Sequence, residues 1–479
     1  MSTANLATSP FAKILLCALM GALCYFCFAP VYLWFLLPVF FGTLMSLCKQ
    51  QKIWLGFLYG YAFGYAYYVT HFYWIKITVQ YFNEDAFAFI SLFPSLYLGL
   101  YAGLAGAAFA AMSKYCKPVL LPFLFALCWT IGEILLTTVS YGLPWNLIGY
   151  TATFSLTLMQ AASLGSIFLL SFLVILVSCC TFSIYRHKQF IPITAAILIA
   201  WVGFGTYRLQ STTTEYAENA PTVRIVQTGI TLNDRDAHTP LAFIKKNNGL
   251  MRAEGLEDIH LVIWPEWGTP TYLKEDKVIE RFITEPLSEE QYLITGTSDR
   301  NEKIDYNALA LVQKDQEIQM YHKNILVPFS EFVPFQRWLP EFATTVKDKL
   351  NKSFAHGETP PLMHTSKLSF TPLICFEAVY PLFVSKHAQH SDVLIQISND
   401  YWLDQSYAEA QLFAMSRLRT IETGLPLIRS ANTGTSAIID AYGRIIYESE
   451  KHFPDVFDEK LPSKTKTPTM WMSLFGFYK

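Results

Sequence analysis

The stretch Phe370-Thr-Pro-Leu-Ile-Cys375-Phe-Glu377 is an apolar run that ends in a cysteine and, two residues later, a glutamate. Its length and its aromatic and β-branched residues predict a buried strand. In α/β folds, strand ends display side chains for chemistry, because the strand holds the backbone rigidly while the next loop shapes a pocket. The stretch therefore predicts an α/β domain and makes Cys375 a candidate functional residue.

Five further short apolar runs predict strands of the same domain, which extends over residues 221–460. They lie at 223–227, 259–264, 292–296, 308–312 and 393–397. Helical stretches separate them, as in a layered α/β domain. Glu266 follows the second of these runs, and Lys323 follows a strand-like run at 318–322. Each residue type alone is more often structural or solvated, so only the combination predicts a function.

The combination of Glu266, Lys323 and Cys375 makes chemical sense for nucleophilic catalysis. A free thiol is only partly ionised at neutral pH, so a carboxylate acting as base and a nearby cation would both raise its reactivity. The ammonium group could also stabilise the oxyanion that forms when a thiolate attacks a carbonyl. Glu266 can serve as a base near pH 7 only if burial raises its pKa above the free value.

The first half of the chain has a different composition. Of the 479 residues, 52% are hydrophobic and 16% are aromatic, which is too apolar for an ordinary soluble protein. Charged residues are scarce over residues 1–210, and we expect a polytopic α-helical membrane domain of about seven spans there. The apolar runs lie at 12–29, 31–48, 53–75, 87–113, 118–138, 155–185 and 189–207. A short apolar tail occupies residues 461–479.

The positions of the basic residues predict the orientation of these spans. Three alternate loops carry most of the positive charge, through Lys49, Lys52, Lys114, Lys117, Arg186 and Lys188. Loops of this kind lie on the cytoplasmic side, so after seven crossings the α/β domain lies outside the cytoplasm. The formal net charge of −2 gives no reason to expect a nucleic-acid partner. Eight of the nine cysteines lie in the apolar half, where we expect them to act as small apolar side chains.

Several motifs resemble those of a known superfamily. Trp264-Pro-Glu266, Tyr321-His-Lys323 and Ile374-Cys375-Phe-Glu377 resemble the Glu, Lys, Cys triad of the nitrilase superfamily. The further matching motifs are Ser398-Asn-Asp400 with Trp402, Arg417-x-Arg419-x-x-Glu422, Arg429-Ser-Ala-Asn-Thr-Gly434 and, in the apolar half, Tyr141-Gly-Leu-Pro-Trp145. With its membrane half, the chain is similar over nearly its whole length to the apolipoprotein N-acyltransferase family.

The resemblance implies an α/β nitrilase-like domain, an αββα sandwich, on the periplasmic side of a bacterial inner membrane. It implies that Cys375 takes an acyl chain from a membrane phospholipid as a thioester and passes it to a diacylated apolipoprotein. The acceptor would be the α-amino group of the diacylglyceryl cysteine at the amino terminus of that lipoprotein. Glu266 would move the protons. The resemblance implies no cofactor and no metal.

The resemblance also assigns supporting roles. Glu331 would position Lys323, and the residues expected to support the site or bind substrate are Glu377, Phe376, Asn399 and Trp402. The family often has tyrosine at the position of Phe376, so a hydroxyl contact is missing there. Prolines interrupt the aromatic loop at 328–339, which suits a loop that dips into the outer leaflet and gates lipid entry. Its gate residues would be Phe329, Phe332, Phe335 and Trp338.

Two other interpretations fit parts of the sequence. A membrane-tethered nitrilase-type amidase would discharge the acyl-enzyme with water, although a hydrolase of soluble substrates needs no seven-span bundle. A transporter or scaffold with an inactive α/β domain is the other, but Glu266, Lys323 and Cys375 are all present. Members of the family usually end in a final membrane helix. Here the apolar tail at 469–478 has about ten residues, too few to cross a bilayer, and is interfacial or a truncated span.

Overall fold

The computed structural model describes residues 9–76, 92–139, 142–230, 239–302, 304–328, 330–332, 354–358, 362–403 and 406–475. The chain divides into two compact units. The first comprises Met1–Thr213 with Gln405–Leu418, and the second comprises Thr214–Asp404 with Arg419–Lys479. The first unit is helical, and the second contains all the described strands.

The first unit contains helices that follow the apolar runs of the sequence. They are α1 (Pro10–Leu23), α2 (Leu37–Cys48), α3 (Ile53–His71), α4 (Leu92–Met112), α5 (Leu121–Thr138), α6 (Leu156–Met159), α7 (Ala162–Ile184) and α8 (Phe190–Gln210). Five helical stretches in the described residues are long and apolar enough to span a bilayer: Pro10–Cys27, Pro94–Met112, Pro118–Thr138, Ala162–Ile184 and Phe190–Gln210. Trp34–Cys48 is a shorter apolar helix, and α3 is rich in tyrosine and glycine. The count of seven crossings therefore stays a prediction.

Small residues allow α3 and α4 to pack at very close range. Gly56 and Gly60 lie one turn apart on α3, and both face the backbone of α4. A Cβ atom on Gly60 would lie 2.3 Å from the carbonyl oxygen of Ala102, and one on Gly56 would lie 2.6 Å from that of Gly106. Helices in lipid associate through such close contacts, because there is no hydrophobic driving force between them. This interface was not predicted from the sequence.

We expect Gly60→Leu to destabilise the helical unit, because its side chain would have to displace the backbone of α4. The expected loss in the free energy of unfolding is about 1–3 kcal/mol, the usual cost of overpacking. Gly203→Leu is the matched control, since a Cβ atom at Gly203 on α8 meets nothing within 4 Å. Denaturant titration in detergent micelles measures both variants, and equal stabilities would contradict the close-packing account.

Glu133 lies in the middle of α5 and has a structural role. Its Oε1 atom accepts hydrogen bonds from the indole of Trp129 at 3.2 Å and from the backbone N–H of Ile148 at 2.9 Å. The carboxyl group thus ties the 3-10 segment Ile148–Phe154 to α5. A carboxyl group that is buried and accepts two hydrogen bonds within the unit does not face lipid.

The second unit contains thirteen described strands. They are β1 (Thr222–Gln227), β2 (Leu261–Ile263), β3 (Thr269–Tyr272), β4 (Tyr292–Asn301), β5 (Ile304–Gln313), β6 (Gln319–His322), β7 (Met363–His364), β8 (Ser369–Ile374), β9 (Val393–Ser398), β10 (Leu427–Ala431), β11 (Ala437–Ile439), β12 (Ile445–Glu448) and β13 (Asp455–Lys460). Its helices are α9 (Pro240–Met251), α10 (Lys277–Thr284), α11 (Pro381–His387), α12 (Ala408–Thr423) and α13 (Met470–Phe475), of which α12 is shared with the first unit.

The strands form two sheets that pack against each other. The first sheet has the order β13-β1-β2-β4-β5-β6, with β3 beside β4, and the second has the order β12-β11-β10-β9-β8-β7. Strand β1 contacts β10 and β5 contacts β8, while α9 packs against β1 and β3. A core of buried side chains, including Trp264, Ile244 and Ile283, joins the first sheet to α9 and α10. The expected combination of a polytopic helical domain with an α/β nitrilase-like sandwich is confirmed.

The described part of the tail packs within the second unit. The indole N–H of Trp471 on α13 donates to Ser385 Oγ of α11 at 2.7 Å. Met472 is buried, whereas Met470 and Leu474 on the other side of this short helix are exposed. The tail thus attaches to the helix that follows the candidate nucleophile, and its relation to a bilayer stays a prediction.

Candidate active site

Cys375 lies at the end of β8, on a strained turn. Its φ is +49°, in the left-handed region that few residues other than glycine adopt. A 3-10 helix, Cys375–Val379, follows directly, and Gln396 Nε2 donates to the carbonyl oxygen of Cys375 at 2.9 Å. Strained backbone of this kind often accompanies functional sites. Cys375 is 8% exposed, so it is buried but not completely removed from the surface.

Glu266 lies in the loop after β2 and is buried. Its Oε1 atom accepts a hydrogen bond from Asn307 Nδ2 at 2.9 Å, and its Oε2 atom accepts one from the backbone N–H of Asn399 at 3.0 Å. Lys323 Nζ lies 3.6 Å from Oε1. Strand β2 is shorter than the predicted run 259–264, and the carboxyl group follows its end.

Lys323 follows directly after β6, and only 1% of it is exposed. Its backbone N–H donates to the carbonyl oxygen of Asn307 at 2.9 Å, which continues the pairing of β6 with β5. Its ammonium group donates to Glu331 Oε1 at 2.9 Å. The lysine therefore lies between two carboxyl groups, of which Glu331 is the nearer.

Asn307 on β5 connects the two carboxyl groups that surround the lysine. Its Nδ2 atom donates to Glu266 Oε1 at 2.9 Å and to Glu331 Oε1 at 2.7 Å. One amide group thus separates two carboxyl groups that would otherwise repel each other. Asn307 was not predicted from the sequence, because a single polar residue at the edge of an apolar strand carries little signal. The clue was its place in Tyr306-Asn-Ala-Leu-Ala310, the polar residue before an otherwise buried run.

Burial and the neighbouring charges shift the pKa values of all three candidate residues. Burial raises the pKa of Glu266, and Glu331 adds to the rise, while Lys323 and two hydrogen bonds oppose it. Burial alone would lower the pKa of Lys323, but the carboxyl groups of Glu331 and Glu266 outweigh it and raise this pKa. Burial, together with Glu266, raises the pKa of the Cys375 thiol, and Lys323 lowers it. At neutral pH the lysine is charged and the resting cysteine is a thiol.

Glu377 ties the turn of Cys375 to the segment of Lys323. Its Oε2 atom accepts from the backbone N–H of Ile374 at 2.8 Å, and its Oε1 atom accepts from the hydroxyl of Tyr321 at 2.7 Å. The backbone N–H groups of Asn324 and Ile325 also donate to Oε1. Burial raises the pKa of this carboxyl group to about 7 despite these donors. Glu377 therefore fixes the two segments relative to each other.

The other supporting residues lie around these groups. Asn399 donates its backbone N–H to Glu266, and its side-chain oxygen accepts from Asn432 Nδ2 at 3.2 Å. Phe376 is buried, with its ring 5.4 Å from the ring of Tyr380. Trp402 is half-buried and stacks on Tyr401, with the two ring centroids 5.1 Å apart. Asn399 thus contacts a triad member directly, Phe376 is its immediate chain neighbour, and Trp402 lies further along the chain.

The proposed lipid gate falls mostly outside the described residues. Phe329, Phe335 and Trp338 are not among them. Phe332 is half-buried, with its ring 5.4 Å from the ring of His356. The gate therefore stays a prediction.

This arrangement suits thiol-based acyl transfer. It combines a buried carboxyl group of raised pKa, a permanently charged ammonium group and a thiol that responds electrostatically to both. A base and a cation beside a thiol are the requirements for attack on a carbonyl and for stabilising the resulting oxyanion. Among the described residues, no group of three or more His, Cys, Asp or Glu side chains could hold a metal ion.

Comparison with known families first defines the class of protein. Residues 222–457 match the carbon-nitrogen hydrolase family, so the second unit is an α/β domain of that class. A solved carbon-nitrogen hydrolase superfamily protein from Xanthomonas campestris is 17% identical and covers 54% of this chain and 94% of its own, with a TM-score of 0.39. At that score the structural likeness adds nothing to the family match.

The particular family follows from the rest of the chain. Residues 20–180 match the apolipoprotein N-acyltransferase N-terminal domain. An apolipoprotein N-acyltransferase of Rickettsia prowazekii (strain Madrid E) is 31% identical, over 96% of this chain and 94% of the relative. That of Rickettsia bellii (strain RML369-C) is 32% identical, over 96% and 93%. The chain belongs to the apolipoprotein N-acyltransferase family, and it is a membrane-associated enzyme that transfers acyl groups to lipoproteins.

We expect Lys323→Met to make Cys375 harder to ionise, because Lys323 is the positively charged group that lowers the pKa of the thiol. The pH at which alkylation of Cys375 reaches half its maximal rate should rise by about one unit or more. Mass spectrometry of the peptide that contains Cys375 separates this thiol from the other eight. Lys277→Met, at an exposed lysine, should leave the profile unchanged. An unshifted profile in Lys323→Met would show that the ammonium group does not act on the sulfur.

Asn307→Leu should move the acid limb of the rate profile to higher pH. The amide of Asn307 lowers the pKa of Glu266, so its loss raises that pKa, and the carboxylate form that accepts the proton appears only at higher pH. Loss of a hydrogen bond to a charged group should also reduce the rate near pH 7 by about tenfold or more. Initial rates of acyl transfer from pH 5 to 9 measure both effects. Asn301→Leu, at an exposed position on β4, is the control, and coincident profiles for the two variants would refute the role of Asn307.

Proposed function

We propose that this enzyme transfers an acyl chain from a membrane phospholipid to the amino terminus of a diacylated apolipoprotein, through a thioester on Cys375. Glu266 is the base, and Lys323 stabilises the oxyanions. Glu331 holds Lys323 in place. The acceptor is the α-amino group of the amino-terminal diacylglyceryl cysteine, and the product is a triacylated lipoprotein.

In the first half-reaction, Glu266 takes the proton of the Cys375 thiol, and the thiolate attacks the ester carbonyl of the phospholipid. The tetrahedral oxyanion forms beside the ammonium group of Lys323. The carbon–oxygen bond then breaks, and the departing oxygen takes the proton from Glu266. The lyso-phospholipid leaves, and the acyl chain stays on the sulfur.

In the second half-reaction, the lipoprotein amine attacks the thioester carbonyl. An α-amine with a pKa near 7.7–8.0 is partly neutral at pH 7, so it is a competent nucleophile. Glu266 takes a proton from the attacking nitrogen, and the carbon–sulfur bond breaks. The thiolate then recovers the proton from Glu266, so no cofactor is consumed.

The single observation that carries this proposal is the burial of Lys323 between Glu266 and Glu331. Lys323 and Glu266 both shift the pKa of the Cys375 thiol, the first downwards and the second upwards. A buried ammonium group held by two carboxyl groups is a fixed positive charge, which is what an acyl-transfer transition state requires. Family membership supports a lipoprotein as the acceptor. The apolar helices support a donor drawn from the bilayer.

We also propose that the second unit lies on the periplasmic side of a bacterial inner membrane. The support is the placement of lysine and arginine in alternate loops of the apolar half. Lipoproteins that carry a diacylglyceryl group are held at a membrane surface, so an enzyme in the same membrane meets both of its lipid substrates there.

Acyl-group trapping tests the proposal. The purified enzyme is incubated with phospholipid that carries an isotope-labelled acyl chain, and the peptide that contains Cys375 is analysed by mass spectrometry. We expect one acyl group on that peptide, which hydroxylamine removes. A diacylated lipopeptide should then discharge the enzyme and gain the label on its α-amine, whereas an N-acetylated lipopeptide should not.

Cys375→Ala should give no labelled enzyme, while Cys116→Ala, at a partly exposed cysteine of the helical unit, should behave as the unmodified protein. Label that persists in Cys375→Ala would overturn the role of the thiol. Release of free fatty acid without labelled lipopeptide would instead assign a hydrolase.

A further inference from the structure

A chain of three buried polar residues, Ser398, Asp400 and Arg429, begins beside Cys375 at the end of the neighbouring strand. Strands β8 and β9 run parallel, and Ile374 pairs with Ile397, so Cys375 and Ser398 lie side by side just beyond the last pair. Ser398 is fully buried at this neighbouring position, and a hydrogen bond from its hydroxyl lowers the pKa of the Cys375 thiol. The resting hydroxyl donates to Asp400 Oδ1. The hydroxyl proton of Ser398 therefore has two acceptors, Asp400 Oδ1 and the Cys375 sulfur.

Asp400 is itself held firmly. Its Oδ2 atom pairs with the guanidinium group of Arg429, and both side chains are fully buried. Arg429 is fixed in turn, because its Nε donates to the carbonyl oxygen of Thr435 at 3.1 Å. The loop of Gly434 closes over the carboxyl group, since a Cβ atom there would lie 2.1 Å from Asp400 Oδ2. Asp400 is therefore held by Arg429 and by the close approach of the Gly434 loop, and its carboxyl group offers Ser398 an acceptor in a fixed position.

The charges of Asp400 and Arg429 allow the Cys375 sulfur to change from a neutral thiol to a thiolate. Asp400 carries a negative charge near Cys375 and disfavours the thiolate, but Arg429 keeps that carboxylate paired whether or not Ser398 also donates to it. A thiolate needs donors in a buried site, because burying an unpaired charge is costly. A serine hydroxyl rotates about one bond and can supply a donor without any backbone movement.

We propose that Ser398 is a positioning residue for Cys375: its hydroxyl donates to Asp400 while Cys375 is a thiol, and turns to the sulfur when Glu266 removes the proton. No proton is transferred by Ser398, and only its O–H bond changes direction. When the thioester forms, the negative charge leaves the sulfur and the hydroxyl returns to Asp400. The same rotation of the Ser398 hydroxyl stabilises the thiolate that leaves in the second half-reaction. This inference rests on the proposed function of Cys375 as the nucleophile.

The test compares Ser398→Ala with Ser398→Thr. Alanine removes the donor, so the midpoint of the pH profile for alkylation of Cys375 should rise by about one unit, and the initial rate of acyl transfer at pH 7 should fall by about tenfold. Threonine keeps the hydroxyl and should restore most of both. Ser391→Ala is the matched control, because Ser391 is buried just before the other end of β9 and bonds to Thr371.

An alanine profile that coincides with that of the unmodified protein, at equal melting temperature, overturns the proposal. So does a threonine variant as impaired as the alanine variant, since that result indicates packing alone. If alanine prevents folding, Ser398→Cys keeps the shape of the side chain, although it is slightly larger, but donates only weakly, and it must shift the profile in the same direction. Alkylation requires no lipid, so a shifted profile stands even if no acyl group is found on Cys375, and the two proposals can fail separately.

Discussion

The site depends on one buried cation shared by two carboxyl groups. Lys323 is almost completely removed from water, and it can remain charged there only because Glu331 and Glu266 surround it. Removing one partner of such a group leaves an uncompensated buried charge, which costs several kcal/mol, on the order of 3–5. Asn307 completes the arrangement, because its amide lets both carboxyl groups approach the same ammonium group without facing each other.

The three proposed catalytic groups come from two sheets. Glu266 and Lys323 follow strands of the first sheet, whereas Cys375 follows a strand of the second. Their geometry therefore depends on the packing between the sheets. Glu377 secures it, since one carboxyl group accepts from the Cys375 turn and from the segment after Lys323. Ser398 belongs to the same sheet as Cys375, so it can follow the sulfur without depending on that packing.

The sequence predicted what depends on local pattern. Cys375, Glu266 and Lys323 each follow a short apolar run, and the structure has a strand before each of them. It could not predict Asn307 or the role of Ser398, because their function arises from register between strands that are distant in the chain. Pairs such as Asn307 with Glu266 are 41 residues apart, and no period or spacing records them. The close packing of α3 on α4 escaped notice for a related reason, since hydropathy reports which helices are apolar but not which faces meet.

The most direct test of the central claim is a structure of the acyl-enzyme, obtained by cryo-electron microscopy after incubation with phospholipid and without a lipoprotein acceptor. The account predicts an acyl chain bonded to Cys375 Sγ, with its carbonyl oxygen about 3 Å from Lys323 Nζ. Lys323 should still contact both Glu266 and Glu331. An acyl group on another residue, or a carbonyl oxygen that points away from the ammonium group, would contradict it.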